Sequence, residues 1–342
     1  MKILGIETSC DETGIALVEA SGGLKNPRFR VLKNLVASQI KIHAPFGGVV
    51  PNLAKREHEK NLPILLKRLL GCPTAKWDIV AVTVGPGLEP CLWQGIEFAK
   101  EVAKKFKKSV VAVNHMEGHI ASVLLGQEKQ EEIKFPALAL LVSGGHTELV
   151  LMKNWLNYKI IGETLDDAVG EAFDKVARML SLPYPGGPEL SKLADKLTRP
   201  RMSGQIKLPR PMINSKDLNF SFSGLKTAVL YALRDNPKLN KAALAKEFQN
   251  AAVDVLVVKT LKAIDRHKPK TLIVAGGVAA NKHLQKEISS AMKKFPGIQT
   301  MVPDPQFTGD NAAMIASAGY FHALKKNFAK PNKLKASGQL SL

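Results

Sequence analysis

The three cysteines, Cys10, Cys72 and Cys91, are odd in number and nowhere form C-x-x-C, which argues against a disulfide framework or a cysteine zinc site and leaves three reduced thiols. No apolar run approaches the ~18 to 20 residues needed to span a bilayer. The opening stretch M-K-I-L-G-I-E-T-S-C-D-E turns acidic by Glu7, so it has neither the apolar core of a signal peptide nor the acid-poor makeup of a transit peptide. A cytoplasmic protein without a membrane partner is the expectation. There is no G-x-G-x-x-G fingerprint and no Walker A lysine, which disfavours a Rossmann oxidoreductase and a P-loop enzyme. H-E-x-x-H is missing too. Residues 115–119 read H-M-E-G-H, with the glutamate two places after the first histidine and so on roughly the opposite helix face, unsuited to activating a metal-bound water.

At 342 residues the chain exceeds the roughly 250 to 300 at which single cores stop growing, so two lobes are expected. Lysine plus arginine number 49 against 30 acids, a surplus of 19 whose field suits a polyanionic partner. Residues 3–18 read as strand, polar turn, strand; residues 137–152 repeat that plan around Ser143, Gly144 and Gly145, a domain-scale duplication. Further strands at 78–87 and 270–278, each ending in glycine, alternate with helical periods at 57–70 and 243–264, the pattern of an α/β architecture.

The charged run Q-E-K-Q-E-E-I-K at 127–134 marks a lobe boundary. One lobe is expected over 1–130 plus about 308–325, the other over 131–307, with 326–342 a basic, flexible tail. Residues 199–215, with three prolines and four basic residues, read as a long basic loop.

Small turns expose backbone N–H groups that can cradle an anion, so 143–145 and the turn around Thr8, Ser9 and Gly14 are candidate phosphate cradles; Asp11 and Glu12 could hold a cation or amine beside them. A-G-G-V-A-A-N at 275–281 lies where open α/β sheets bind ligands, with Asn281 a possible hydrogen-bonding partner. His115 and His119, at i and i+4 on one helix face, can share a metal or be two ordinary buried imidazoles. Asp310 is a third ligand candidate, or else an N-cap of the apolar helix that follows it. The acidic positions within 166–175 read most simply as a solvated face, and F-S-F-S-G-L-K at 220–226 could aim N–H groups at an anion.

Taken in order, G-I-E-T-S-C-D-E-T-G (5–14), G-G-V-V-P (47–51), G-P-G-L (85–88), H-M-E-G-H (115–119), L-V-S-G-G-H (141–146), G-E-A-F-D-K (170–175), Y-P-G-G-P (184–188), F-S-F-S-G-L-K, A-G-G-V (275–278) and D-N (310–311) resemble the TsaD family of tRNA N6-adenosine threonylcarbamoyltransferases. The resemblance implies the α/β actin/Hsp70/sugar-kinase-like (ASKHA) fold, duplicated in two lobes with a central ligand cleft. It implies transfer of L-threonylcarbamoyl from threonylcarbamoyl-AMP to N6 of adenosine 37 in tRNAs reading codons that start with A (t6A formation), with release of AMP. Carried across motif by motif, His115, His119 and Asp310 would ligate Fe(II), or alternatively Zn(II). Leu141, Val142, Ser143, Gly144, Gly145, Asp174, Gly187 and Asn281 would hold the adenine nucleotide, whether threonylcarbamoyl-AMP or ATP/ADP. By their position in the first turn, rather than by the resemblance, Asp11 or Glu12 would orient the reacting amine. The spelling of 47–51 and 115–119 is similar to the bacterial type, which implies a TsaB-like partner of related fold and a TsaE-like ATPase, the alternative being a homodimer acting alone. Competing expectations are a carbamoyltransferase with a small-molecule acceptor and a non-catalytic ASKHA nucleotide-binding partner protein; the basic surplus and the 196–210 loop favour tRNA.

Overall fold

The computed structural model describes residues 1–71, 75–126, 131–197 and 206–342. Cys72, part of the boundary run (127–130) and part of the basic loop (199–205) lie outside the described residues. Two compact units result, one of Met1–Ile133, Asn154–Tyr158 and Val302–Leu342, the other of Lys134–Lys153 and Lys159–Met301.

The first unit runs β1 (Lys2–Glu7), β2 (Glu12–Ser21), β3 (Arg28–Ser38), α1 (Ile40–His43), α2 (Pro51–Leu70), β4 (Ile79–Gly85), α3 (Glu89–Phe106), β5 (Ser109–Asn114) and α4 (His115–Ser122). The second contributes β6 (Ala137–Val142), β7 (Thr147–Asn154), β8 (Asn157–Glu163), α5 (Val169–Met179), α6 (Gly186–Asp195), α7 (Ser223–Asp235), α8 (Lys241–His267), β9 (Thr271–Ala275), α9 (Lys282–Met292) and β10 (Gln299–Met301). The chain then returns to the first unit with α10 (Ala312–Leu324).

Each unit is built on a five-stranded mixed sheet, in the order β3-β2-β1-β4-β5 and β10-β9-β6-β7-β8. β1 pairs antiparallel with β2 and parallel with β4; β6 pairs antiparallel with β7 and parallel with β9. The hairpins read at 3–18 and 137–152 are therefore equivalent elements of a duplicated plan. Their strands are continuous apolar runs because both sheet faces are covered: Ile3, Leu4, Ile6 and all of Leu138 to Val142 are buried.

Of the first sheet's cover, α10 sets the site. Its sequence A-A-M-I-A-S-A-G-Y-F-H-A-L is apolar all round and almost wholly buried, as expected of a central helix. It lies so close to β1 that a Cβ on Gly5 would collide with the Ala312 carbonyl oxygen, so the glycine is a requirement of the packing. That close seating fixes the residues just before α10. In α2 the buried positions Ala54, His58, Leu62, Leu65 and Leu69 form one stripe. No helix among the described residues is long and apolar enough to cross a membrane.

Candidate metal centre and nucleotide turns

α4 opens directly on the first histidine. Asn114 caps it: its side-chain oxygen accepts the Met116 N–H at 2.8 Å, while its own N–H donates to Glu117 Oε2 at 3.3 Å, a reciprocal capping box. Glu117 is thereby turned away, its Oε2 also lying 2.8 Å from His322 Nε2. The helical spacing leaves the His115 and His119 rings 4.7 Å apart and nearly perpendicular.

The N-cap of α10 is Asn311, whose side chain accepts the Met314 N–H at 3.1 Å. The capping role considered for Asp310 therefore falls to its neighbour. Asp310 instead faces the histidines, its Oδ1 3.4 Å from Nε2 of His115 and 3.4 Å from Nε2 of His119. One donor atom from each residue lies within 4.8 Å of the others. Two ligands at tetrahedral angles and ~2.1 Å from one ion stand about 3.4 Å apart, so the spacing fits a shared metal. His119 supplies a second test. It is fully buried, and neither ring nitrogen makes a hydrogen bond among the described residues. Such a group is costly unless something absent from the protein chain completes it, and a divalent cation on Nε2 would.

Behind this trio stands Glu7, a residue the sequence did not single out. It closes β1, fully buried. Its Oε2 accepts from Thr83 Oγ1 at 2.6 Å and lies 3.1 Å from His115 Nδ1; its Oε1 accepts the Ser9 N–H at 2.5 Å. A carboxylate on Nδ1 fixes the ring so that Nε2 points at Asp310. Burial alone would raise the Glu7 carboxyl, but His115 holds it below its ordinary value. Burial would likewise lower His115, and Glu7 and Asp310 instead raise it well above the usual imidazole range. Asp310 is held well below the usual carboxylate range, because the two imidazoles outweigh its burial. The only hint of Glu7 in the sequence is a carboxylate where an apolar strand ends. Glu7→Gln keeps the shape and removes the charge; zinc affinity by calorimetric titration should fall about 10- to 100-fold, and unchanged affinity would show that the carboxylate does not support the site.

Asp11 and Glu12 lie in the turn and strand start that follow. Glu12 Oε1 accepts from Ser38 Oγ at 3.1 Å, and its carboxyl is pushed up to about 9, by burial first and then by the charges of Asp11 and Asp310. The turn is braced by His58, whose Nε2 lies 2.9 Å from the Cys10 carbonyl oxygen and whose Nδ1 lies 2.8 Å from Thr13 Oγ1.

In the second unit the residues expected to hold a nucleotide collect at the carboxyl ends of β6 and β9. Leu141 and Val142 are buried strand residues, whereas Gly144 and Gly145 are exposed, with open space where a Cβ would stand. Ser143 pins the turn: its N–H donates to the His146 carbonyl at 2.9 Å and its Oγ accepts the His146 N–H at 3.1 Å. Gly276, at φ 96°, brings the β9 turn against the Val142 carbonyl, where a side chain would not fit. Asp174 Oδ1 accepts the Gly187 N–H at 2.9 Å, joining α5 to α6. Asn281 caps α9 and donates to Ser191 Oγ at 3.0 Å and Gln249 Oε1 at 3.1 Å, so its amide is committed to holding these helices together.

The helix start at 220–226 is already supplied with an anion. Asp166 accepts from Phe222 N–H at 2.8 Å, Ser223 N–H at 3.2 Å, and the Ser221 and Ser223 hydroxyls at 2.6 Å. Asp167 pairs with Lys175 and Lys226, both at 2.8 Å. This pair of acids is therefore a structural clamp rather than a free solvated face, and it occupies the N–H groups that were available to a ligand.

Glu148, across from Leu141 on β7, is pushed up to about 7 by burial first and then by Glu163. Because its folded pKa lies above the ordinary value, the native state binds the extra proton, and stability falls as pH rises from 4.5 through about 7. Glu148→Gln should stabilise the protein by roughly 1 to 2 kcal/mol at pH 8 after discounting for solvent screening, and much less near pH 5. Urea midpoints at the two pH values read this; equal gains at both would contradict it.

Comparison with known proteins bears on both units. The TsaD family model, described as tRNA N6-adenosine threonylcarbamoyltransferase, matches residues 30–317. A Thermosipho africanus protein of that name is 44% identical, with 100% of both chains covered. One from Burkholderia cenocepacia is 47% identical over 93% of this chain and 91% of its own. Among solved structures, HypF of T. kodakarensis superposes with TM-score 0.58 at 13% identity, over 98% of this chain and 50% of that one. Component A of the Acidaminococcus fermentans (R)-2-hydroxyglutaryl-CoA dehydratase gives 0.51 at 11%, over 95% and 98%. These two likenesses concern the fold alone, which is the duplicated α/β ASKHA fold.

Proposed function

We propose, since the chain belongs to the TsaD family of tRNA N6-adenosine threonylcarbamoyltransferases, that His115, His119 and Asp310 hold the cation with which it works. The chain is an acyltransferase: it moves L-threonylcarbamoyl from threonylcarbamoyl-AMP to N6 of adenosine 37 in tRNA, forming t6A and releasing AMP. In this reaction N6 attacks the carbamoyl carbon, the bond from that carbon to the phosphate oxygen breaks, and N6 loses a proton. The exocyclic amine is a poor nucleophile, so positioning and charge stabilisation must supply the rate.

The observation that carries the metal assignment is the convergence of three donors with an otherwise unpartnered, buried His119. Two histidines and one carboxylate with positions left open suit Fe(II), with Zn(II) the second candidate. A cation bound there supplies positive charge to steady the phosphate leaving group. Glu7 holds His115 by Nδ1 and keeps Nε2 directed at the trio. In the second unit the exposed Gly144 and Gly145 supply N–H groups for the nucleotide, with Leu141, Val142 and Ser143 framing them, while Asp174, Gly187 and Asn281 shape the wall beside them. Asp11 orients the amine. Glu12 shares that role from the adjacent position, its carboxyl raised by burial and by the charges of Asp11 and Asp310.

A cytoplasmic setting, a TsaB-like partner of related fold and a TsaE-like ATPase belong to the same reading, supported by relatives of bacterial origin; the positive balance of the chain suits tRNA. The test is reconstitution with threonylcarbamoyl-AMP and unmodified tRNA, with and without those partners, followed by nucleoside analysis. Modified adenosine in metal-loaded samples supports the reading. Its absence in every combination overturns it.

A further inference from the structure

We propose that residues 336–342 form a strap that positions the histidine helix α4. The consequence for the cation rests on the metal reading above; the positioning itself does not.

After α10 the chain runs back along the first unit. The Ala329 N–H donates to the Val110 carbonyl at 2.8 Å beside β5, and Leu334 is buried in the hydrophobic core with Val82, Val84 and Ile96. From there the segment meets the carboxyl ends of β4 and β5. The Ser337 N–H donates to the Val84 carbonyl at 2.9 Å, the Gly87 N–H donates to the Gly338 carbonyl at 3.2 Å, and the Gly338 N–H donates to Glu89 Oε1 at 3.1 Å. The approach is close enough that a Cβ on Gly85 would collide with the Ser337 carbonyl oxygen.

The last contact reaches the site. Asn114 Nδ2 donates to the Leu340 carbonyl at 3.4 Å and to the Ser341 carbonyl at 3.2 Å, while its Oδ1 accepts the Met116 N–H at 2.8 Å. One carboxamide therefore has its nitrogen on the strap and its oxygen on the first turn of α4. Two carbonyl acceptors on the nitrogen side forbid the flipped amide, which would aim N–H groups at the helix N-terminus and lose the cap. The residue that follows is the metal-ligand candidate His115. Any looseness in Asn114 is passed to both histidines, because they ride on the same two helical turns.

A tail that merely added apolar burial would act through Leu334 and Leu340 and would be indifferent to the Asn114 nitrogen. Asn114→Asp separates the two cases: it keeps an oxygen for the Met116 N–H and removes the donor to the strap. We would compare the full chain, a chain ending at Lys335, and Asn114→Asp by calorimetric titration with zinc and, in metal-free protein, by hydrogen exchange at the Met116 and His119 amides. The strap account expects about tenfold weaker zinc binding in both variants and about tenfold faster exchange at those two amides, with exchange in β6 unchanged. Asn114→Asp matching the full chain in both measurements overturns the strap, whether or not the shortened chain folds. Failure of the metal reading looks different: His119→Ala then binds zinc as tightly as the full chain, while the exchange data still decide the strap.

Discussion

His119→Ala should abolish tight binding of one divalent ion and lower t6A formation by about a thousandfold, while the protein remains folded. The magnitude follows from the role assigned to the cation, since several kcal/mol of leaving-group stabilisation correspond to about three powers of ten in rate. His119 is the most discriminating of the three ligands to replace. His115 is tied to both Glu7 and Asp310, so alanine there strips the buried Glu7 of its imidazole partner, and alanine at Asp310 removes one of the two carboxylates that compensate His115. His119 makes no hydrogen bond among the described residues, and its loss removes a donor without orphaning another group. Metal content by elemental analysis and nucleoside analysis of the product tRNA read the two effects together. A variant that keeps both its metal and its turnover would remove His119 from the site.

The second large effect is one of packing. Gly5→Val should destabilise the first unit by about 3 kcal/mol or more, because the added Cβ collides with the backbone of Ala312 rather than with a side chain that could rotate away. For a unit of this size that is a fall of roughly 10 °C in melting temperature. The displacement would be passed along α10 to Asp310, two residues before it, so zinc affinity should fall in whatever fraction remains folded. Scanning calorimetry and zinc titration report the two. A valine variant with the parental melting temperature would mean that α10 does not sit on β1 as described.

Much of this was readable before any coordinate. The hairpins, the parallel strands and the long helices announce themselves through apolar runs and periods, because burial on both faces of a sheet leaves little else in the sequence. The histidine pair is visible by spacing, and so is the displacement of Glu117 to the other side, which the structure uses to bind His322. Asp310 is another matter. Nothing local distinguishes it from Asn311 as a helix cap, and only the seating of α10 against β1 decides which of the two faces the histidines. Glu7 stays hidden for a related reason: a carboxylate at a strand end looks like the start of a solvated turn until Thr83 and His115 are seen to converge on it. Asp166 escapes for the opposite reason. It looks like surface charge, and its four donors come from a segment more than fifty residues away. The contacts of residues 336–342 are largely main-chain hydrogen bonds, and these leave no mark on composition or period.

The claim on which the rest depends is that one cation is held by two imidazoles and one carboxylate drawn from α4 and from the residue before the cap of α10. X-ray absorption at the zinc edge, on protein carrying one equivalent of zinc, addresses it directly. The account predicts a first shell containing two imidazole nitrogens and a carboxylate oxygen at about 2.0 to 2.2 Å, with the imidazole signal reduced in His119→Ala. A shell containing sulfur at about 2.3 Å, or an oxygen-only shell unchanged by that substitution, would contradict it.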